Sequence, residues 1–461
     1  MPADRRAQVR DVARYLRSVR PLDPAELTDY VEGDVDAATI HADLHALAPD
    51  LGLVERADGT FAPVPDGTIP TPEDGIDALP PPIESMVEQR LTEAYGQDWA
   101  TGASGEHLRS TIDALKADYY RQHPVDYDTD VAFAYTIYHL ASYYATGYHV
   151  ATELAAADLL EYDLRVLDVG AGVGAPALGF FAALPEDALV EYHAIEPGAG
   201  ADLLATLLEA TGSNVHPTLH RTTAEAYEPD EAFDVVVFAN VLAELDDPVA
   251  VTTRYLEALT PSGTMVLVAP ADEATSTGLR AVERALVDDR ELATVYAPTV
   301  RLWPDAHPTD RGWSFVRKDD IAAPSFQTQL AGDEATYRHT SVQYSYAYLR
   351  TDGRQRYDIT LTTDEAAKMA EMDAHVTNRV DVVAAKLSPD LGTENPLFKV
   401  SDGSEAVDHY AVLVHESPLT EPLRTAAYGT VLRFENVLVL WNDDEDGYNL
   451  VVDDEAVVDI Y

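Results

Sequence analysis

The run Val166–Gly174, with the sequence VLDVGAGVG, decides the fold. Its first half has the aliphatic composition of a buried strand, and its second half carries a glycine at every other position. Glycine lets a backbone turn sharply and come close to a ligand, because it has no Cβ. The apolar stretch Pro176–Leu184 then predicts a helix. A strand, a glycine turn and a helix in this order indicate a nucleotide-binding loop in a doubly wound α/β sheet.

Two carboxylates near this loop bear on which nucleotide it binds. Gly170, Gly172 and Ala175 also satisfy the dinucleotide pattern G-x-G-x-x-G/A, so NAD is an alternative. Asp168 lies two residues before the first glycine, where a carboxylate can order the loop and meet the cationic methionine end of S-adenosylmethionine (SAM). Glu196 ends the next predicted strand and can accept both ribose hydroxyls, although NAD enzymes use the same device.

The rest of the predicted sheet resembles that of class I methyltransferases. Residues 233–240 (FDVVVFAN) and 259–268 (LTPSGTMVLV) have the order and spacing of two later strands of that fold. The resemblance favours SAM over NAD and predicts an α/β fold with a class I methyltransferase (Rossmann-like) doubly wound sheet. The predicted cofactor-binding residues are Asp168, Gly170, Gly172, Gly174, Glu196 and Glu225.

Two further polar residues follow predicted strands. Glu225 comes after the third strand and could reach the adenine amino group, or it could be an acid at a helix N-terminus, where the dipole favours it. Asn240 ends the fourth strand, where methyltransferases often present a group to the acceptor, so it is the candidate catalytic residue. Methyl transfer from a sulfonium depends more on in-line positioning than on acid–base help.

The chain divides into four predicted pieces. Residues 1–66 have the helix–helix–helix–hairpin order of a winged helix, an order that an unrelated helical cap would share. Residues 67–82 are a proline-rich linker. Residues 83–350 combine a helical lead-in with the predicted parallel methyltransferase sheet. Residues 351–461 read as a β-rich domain, in which one helix near 364–386 is followed by alternating strands.

The helical lead-in carries a stripe of tyrosines. Packing is the simpler interpretation of such a stripe, and a substrate-binding surface is the alternative. Its members are Tyr119, Tyr120, Tyr135, Tyr138, Tyr143, Tyr144 and Tyr148.

Composition excludes several classes of protein. The 461 residues include 81 Asp and Glu against 31 Lys and Arg, a net charge of −50, yet 46% are hydrophobic, which argues against disorder. Such a charge usually argues against nucleic acid. Spread along the whole chain, it matches adaptation to a salt-rich cytoplasm, where a Debye length of about 3 Å makes net charge a poor guide to partners. There is no signal peptide or membrane span, so a cytoplasmic protein without membrane association is expected.

A narrower resemblance rests on five short segments. They are similar to the methyltransferase-like family of small-ribosomal-subunit assembly factors, which has mitochondrial and prokaryotic members, over about residues 83–415. The family implies SAM binding, association with the small ribosomal subunit and its rRNA, and a cysteine-ligated metal or iron–sulfur site. The segments are ATSTGLR at 274–280, VYAP at 295–298, DRGWSF at 310–315, VQYSYAYLR at 342–350 and SDGS at 401–404.

This chain departs from the family in one respect. It has no cysteine, and Thr299 and Ser314 stand roughly where family cysteines would fall. Neither an iron–sulfur cluster nor a zinc–thiolate site is therefore expected. The resemblance and the acidic composition together predict a halophilic archaeal member. It leaves open an rRNA methyltransferase, an assembly factor that binds SAM without chemistry, and a methyltransferase for small molecules or proteins.

Two basic segments are the candidate RNA contacts. One is a helix predicted over residues 4–19, whose arginines lie on one face, although acidic neighbours could pair with them. The other interleaves basic and aromatic residues between Arg301 and Lys318, as suits single-stranded RNA. The third helix has no Lys or Arg, so sequence-specific DNA binding is not expected. The candidates are Arg6, Arg10, Arg14, Arg17, Arg301, Arg311, Trp313, Arg317 and Lys318.

Overall fold

The computed structural model describes residues 2–121, 123 and 125–461. The chain divides into two units. The first consists of Met1–Val235 and Asp320–Ser341, and the second of Val236–Asp319 and Val342–Tyr461. None of the helices within the described ranges is both long and apolar enough to cross a membrane.

The first unit opens with helices and a hairpin, in the predicted order. Asp23 and Asp36 cap two of the helices by accepting hydrogen bonds from Ala25 N–H and Thr39 N–H at 2.8 and 2.7 Å. Helix α3 ends at Gly52, which has the positive φ of 57° that glycine tolerates. The elements are α1 (Pro2–Leu16), α2 (Pro24–Leu27), α3 (Ala37–Leu51), β1 (Leu53–Glu55) and β2 (Phe61–Pro63).

Three longer helices follow: α4 (Pro81–Tyr95), α5 (Gly102–Arg121) and α6 (Thr129–Ala156). Helix α6 packs backbone to backbone against α7 (Ala175–Ala182). A Cβ on Gly147 would overlap the Pro176 carbonyl, and a Cβ on Gly179 would overlap the Tyr144 carbonyl. The two glycines therefore fix the 28-residue helix α6 beside the helix that follows the glycine loop.

Strands β3 (Asp163–Val169), β4 (Leu189–Ile195) and β5 (Val215–His220) of the first unit are parallel to one another, whereas β1 and β2 form an antiparallel hairpin. Strand β3 pairs with β4, which pairs with β5. Helix α8 (Gly200–Leu207) connects β4 to β5, and α11 (Ser325–Ala331) is also part of this unit. Because parallel strands end at the same edge, the residues after β3 and β4 lie side by side.

The second unit contains the remaining strands before the C-terminal part. Strand β6 (Phe233–Ala239) begins in the first unit and ends in the second. Strand β10 is antiparallel to both β7 and β8, so the sheet is mixed, and the expectation of a parallel sheet is corrected here. An antiparallel edge on a largely parallel sheet is common in this fold class. The other elements are β7 (Leu259–Pro270), β8 (Thr294–Ala297), β9 (Val316–Arg317), β10 (Gln343–Arg350), α9 (Pro248–Leu256) and α10 (Glu273–Arg284).

The order of strands is β5-β4-β3-β6-β7-β10-β8, with β9 paired to β10. The glycine loop thus follows an interior strand, with β4 on one side and β6 on the other. This is the predicted position for a nucleotide site.

The C-terminal part forms a second sheet. Its order is β11-β12-β13-β15-β14-β16, and β11 also pairs with β14, which closes the sheet into a small barrel. The elements are β11 (Arg379–Lys386), β12 (Leu397–Ser401), β13 (His409–Leu413), α12 (Glu421–Thr425), β14 (Val431–Asn442), β15 (Gly447–Val452) and β16 (Val457–Ile460).

The helix predicted near 364–386 is wrong. Met369–His375 is a short 3-10 helix, and Arg379–Lys386 is strand β11. Val382 and Ala384 are completely buried in the barrel core, and β11 forms a long antiparallel ladder with β14. Pairing with residues some 50 positions later in the chain outweighs the helical appearance of the local sequence.

Candidate cofactor-binding site

The glycine loop, residues 170–174, has three residues that need positive φ. Gly170, Gly172 and Gly174 have φ of 71°, 56° and 80°. Gly170 N–H and Ala171 N–H both donate to the Ile195 carbonyl, at 2.9 and 3.0 Å, and so anchor the loop to the end of β4. A Cβ on Gly172 would meet nothing within 4 Å, whereas a Cβ on Gly174 would overlap Leu204 Cδ1. Gly172 therefore borders open space, and Gly174 serves packing.

The carboxylate of Glu196 joins the loop to the end of the neighbouring strand. Its Oε2 accepts from Gly172 N–H at 2.8 Å, and its Oε1 accepts from Gly198 N–H at 2.7 Å. The side chain is half-buried. A carboxylate can accept about four hydrogen bonds, so it retains capacity for two ribose hydroxyls. The open space at Gly172 and this carboxylate fit the ribose of a nucleoside cofactor.

Asp168 is buried near the end of β3, two residues before the loop. Only 3% of the residue is exposed, and its carboxylate accepts a hydrogen bond from the Tyr192 hydroxyl at 2.8 Å. Burial raises the pKa of Asp168 to about 7, the Tyr192 hydrogen bond opposes that rise, and the charge of Glu196 adds to it. Asp168 thus links β3 to β4.

The other two predicted site residues follow their strands as expected. Glu225 is exposed, in a turn after β5, and not at a helix N-terminus. Asn240 follows β6, is half-buried, and donates its backbone N–H to the Val268 carbonyl at 2.9 Å. Its φ of 61° lies in the left-handed region, which asparagine tolerates better than most residues.

Sequence reasoning missed Tyr127, which borders the Glu196 turn. Its carbonyl accepts from Ala199 N–H at 3.4 Å, and a Cβ on Gly198 would lie 3.5 Å from the Tyr127 carbonyl oxygen. Tyr127 precedes α6 and belongs to no strand–loop motif, so the only signal for it was its place in a tyrosine-rich segment.

The arginines of α1, and Arg17 directly after it, are mostly engaged with α3. Arg6 donates to Asp43 at 2.9 Å and Arg10 to Asp50 at 2.8 Å, while Arg17 donates to the Leu51 carbonyl. Arg14 is exposed. Most of this basic face therefore holds α1 against α3.

The second basic segment is also partly used inside the fold. Arg301 pairs with Asp288 and Glu283, and Arg311 pairs with Asp408.

Three members of this segment remain. The indole N–H of Trp313 donates to the Ala271 carbonyl at 2.9 Å. Lys318 is half-buried, and its backbone N–H donates to the Val342 carbonyl. Arg317 is exposed on β9.

Hydroxyls and ion pairs surround the two positions where the resemblance implies cysteines. Thr299 donates to Glu283 at 2.6 Å, and the Ser314 hydroxyl accepts from Arg280 Nε at 3.1 Å. Arg280 also pairs with Glu283, and both side chains are almost completely buried. Within the described part of the chain, no group of three or more His, Asp or Glu side chains could hold a metal ion.

Three family models match parts of the chain. Residues 167–265 match a methyltransferase domain, and this segment contains all six predicted cofactor-binding residues and Asn240. Residues 6–57 and 370–461 match the N-terminal and C-terminal domains of a domain of unknown function (DUF8157). No curated protein matches the chain.

Solved methyltransferase structures are distant neighbours. NodS, an N-methyltransferase from Bradyrhizobium japonicum WM9, is 14% identical with a TM-score of 0.28, covering 45% of this chain and 96% of that one. The plantazolicin methyltransferase BpumL is 12% identical with a TM-score of 0.29, covering 57% and 99%. An O-methyltransferase family protein from Burkholderia thailandensis is 17% identical with a TM-score of 0.28, covering 58% and 75%.

The strand order and the matched domain define the class of the protein. The chain has a class I methyltransferase-like α/β fold with a mixed sheet, an additional N-terminal helical region and a C-terminal β-rich domain.

Proposed function

We propose that this protein is a SAM-dependent methyltransferase. One observation supports this most directly. A carboxylate at the end of β4 is hydrogen-bonded to a glycine whose missing side chain faces open space, within the segment that matches a methyltransferase domain. This arrangement supplies a ribose-binding acid and a close backbone approach at one strand edge.

The proposed cofactor contacts are made by residues of the first unit. Glu196 accepts hydrogen bonds from the ribose hydroxyls, the backbone of Gly170 and Gly172 borders the cofactor, and Glu225 binds the adenine amino group. Asp168 positions the loop through its bond to Tyr192. Bound SAM supplies an electrophilic methyl group, and Asn240, which follows β6, contacts the acceptor.

Isothermal titration calorimetry of the full chain tests the proposal. We expect SAM and its product S-adenosylhomocysteine to bind with dissociation constants between about 1 μM and 1 mM, the usual range for enzyme substrates. Titrations in 0.1 M and 2 M KCl keep charge effects from masking binding. Absence of binding heat for both ligands at both salt concentrations would overturn the proposal.

A second candidate function is action on small-subunit rRNA in the cytoplasm. It is supported by the resemblance over residues 83–415 and by the exposed side chains of Arg14 and Arg317. Co-sedimentation with small ribosomal subunits tests the partner. An rRNA methylation map that is unchanged in a deletion strain with defective subunits would indicate an assembly factor without chemistry.

A further inference from the structure

Six aromatic and imidazole rings gather in the first unit, and we call them the ring cluster. Neighbouring rings have centroids 4.8–6.3 Å apart, and two pairs are stacked: His139 on Tyr143 at 4.8 Å and Tyr138 on His339 at 4.9 Å. The members are Tyr127, Tyr135, Tyr138, His139, Tyr143 and His339.

The ring cluster differs in its exposure from Tyr144 and Tyr148, two other members of the tyrosine stripe. Tyr144 and Tyr148, on the same helix, are 1% and 6% exposed and pack inside the fold. All six members of the ring cluster are half-buried. Tyr135, His139 and Tyr143 follow one another at four-residue spacing, which places them along one face of α6. The stripe therefore contains a packing part and a partly open aromatic surface.

The open surface reaches the proposed cofactor site. Tyr127 borders the turn at Gly198, whose N–H donates to Glu196, and the Tyr127 ring lies 6.3 Å from that of Tyr135. Tyr135 in turn lies 4.9 Å from His139. A ligand on the ring cluster would thus lie along a continuous line of rings that starts beside the ribose-binding acid.

The ring cluster also contains a polar atom with no partner. Nδ1 of His139 is buried and makes no hydrogen bond, whereas Nδ1 of His339 lies 3.0 Å from the Ser142 hydroxyl. Burial, and then the charges of His339 and Lys116, lower the pKa of His139 well below its usual value, so the imidazole is neutral at neutral pH. A buried polar atom without a partner is destabilising, and a ligand that hydrogen-bonds to it removes that loss.

A cation lies against the same rings. The ammonium of Lys116 is 4.0 Å from the centroid of Tyr138 and donates to the Thr336 carbonyl at 2.7 Å. In a chain with a net charge of −50, this local positive charge favours a ligand whose polar group is electron-rich.

We propose that the ring cluster binds the methyl acceptor, and that the acceptor is a small planar aromatic molecule whose hydroxyl group hydrogen-bonds with Nδ1 of His139. This inference rests on the proposed function. Stacking on four tyrosines and two imidazoles supplies the affinity for a planar ring. The single unpartnered nitrogen supplies the preference for a hydroxyl.

Fluorescence titration with 7-hydroxycoumarin and coumarin tests the proposal, because the two probes differ only in a hydroxyl. The titrations use the full chain with saturating S-adenosylhomocysteine, buffered below the pKa of the probe's hydroxyl. We expect 7-hydroxycoumarin to bind about tenfold more tightly than coumarin, the effect of one hydrogen bond to a buried group.

Three variants identify the parts of the site. His139→Phe keeps the stacking ring but removes the nitrogen, so the two probes should bind alike. Tyr143→Leu removes a stacking surface and should weaken both about tenfold. Tyr30→Leu is the matched control, since Tyr30 is 55% exposed outside the ring cluster and should change neither affinity. Circular dichroism melting shows which variants are folded.

The outcomes separate this proposal from the proposed function. Two results would overturn the acceptor site. One is that the wild-type chain binds neither coumarin at 1 mM, about the upper limit of usual substrate affinity. The other is that the preference for the hydroxylated probe survives in His139→Phe. Displacement of 7-hydroxycoumarin by micromolar single-stranded RNA would instead assign the rings to nucleobases. Calorimetry with S-adenosylhomocysteine on the same samples reports the cofactor site independently, so its failure counts against the proposed function.

Discussion

Gly172 donates its backbone N–H to the carboxylate of Glu196. The two residues are 24 positions apart, one in the loop after β3 and the other directly after β4. The bond makes the conformation of the glycine loop depend on the same acid that is proposed to bind ribose. Cofactor binding and loop order are therefore coupled through one side chain, and substitutions on either side of this bond should affect both.

Glu196→Gln should weaken SAM binding by about 10- to 100-fold, because hydrogen bonds to a charged group contribute about 1.5–3 kcal/mol. Calorimetry measures the change. Glu191→Gln is the control on the same strand, where the acid pairs with Arg165 away from the loop. Equal affinities for the wild type and Glu196→Gln would contradict the assignment of the ribose-binding acid.

Alanine at the glycines should separate binding from packing. Gly172→Ala meets open space, so it should cost only the roughly 1–2 kcal/mol of a positive φ while obstructing SAM. Gly174→Ala has the same backbone strain, and its Cβ also overlaps Leu204, so it should lower the free energy of unfolding more than Gly172→Ala does. Urea denaturation and calorimetry on both variants measure the two effects. A Gly172→Ala variant that binds SAM like the wild type would show that the cofactor lies elsewhere.

Asp168 should make stability depend on pH between about 4 and 7. Its pKa in the folded chain, about 7, exceeds the unfolded value near 3.9, so the folded state binds the extra proton in this window. The stability of the wild type should therefore fall as pH rises from 4 to 7, relative to Asp168→Asn.

The free energy of unfolding of the wild type should fall by up to about 4 kcal/mol relative to that of Asp168→Asn across that window, because about three pH units separate the folded and unfolded pKa values. Urea denaturation at several pH values measures it. Groups remote from Asp168 titrate alike in both chains, so parallel stability curves for the wild type and Asp168→Asn would contradict the raised pKa.

Lys399→Met should strongly destabilise the second unit. The Lys399 ammonium lies 2.7 Å from Asp310 and 2.5 Å from Asp408, and all three side chains are almost completely buried. Removing the cation deprives two buried carboxylates of a neighbouring positive charge, which costs about 3–5 kcal/mol of stability. Arg433→Met is the control, since Arg433 and its partner Glu435 are 47% and 44% exposed and the pair should contribute at most about 1 kcal/mol. Similar losses in thermal melts of both variants would argue against the buried triad.

Added salt should stabilise the protein. The net charge of −50 repels itself in the folded state, and the Debye length falls from about 10 Å at 0.1 M to about 3 Å at 1 M. The urea midpoint should therefore rise between 0.1 M and 1 M KCl. Urea is uncharged, so the ionic strength stays fixed along each titration. A midpoint that does not move with KCl would show that self-repulsion is unimportant.

Local patterns in the sequence predicted where the glycine loop and Glu196 lie in the sheet, but not the partners of the basic residues. The proximity of Glu196 to the glycine loop was predictable because the ends of parallel strands meet at one edge. The partners of Arg6 and Arg10 were not, since 81 acids were available and only the packing of α1 on α3 selects Asp43 and Asp50.

The larger misses have the same physical origin. Pairing with β14 stabilises β11 as a strand, and pairing with β7 and β8 sets the antiparallel direction of β10. Neither feature could be predicted from a short stretch of sequence. The unpartnered nitrogen of His139 depends on how α6 packs beside His339, which follows it by 200 residues. Periodicity predicts elements, but long-range packing decides which side chains are satisfied.

Strand β10 lies between two strands that both precede it in the chain. Strands β7 and β8 are complete by Ala297, yet β8 has no place in the sheet until Gln343–Arg350 enters between them. During synthesis about 45 further residues must be made after β8 before β10 can pair with β7 and β8. An open edge on β7 is a template for pairing with other chains, so the interval between making β8 and β10 is when a nascent copy is most exposed to misassembly.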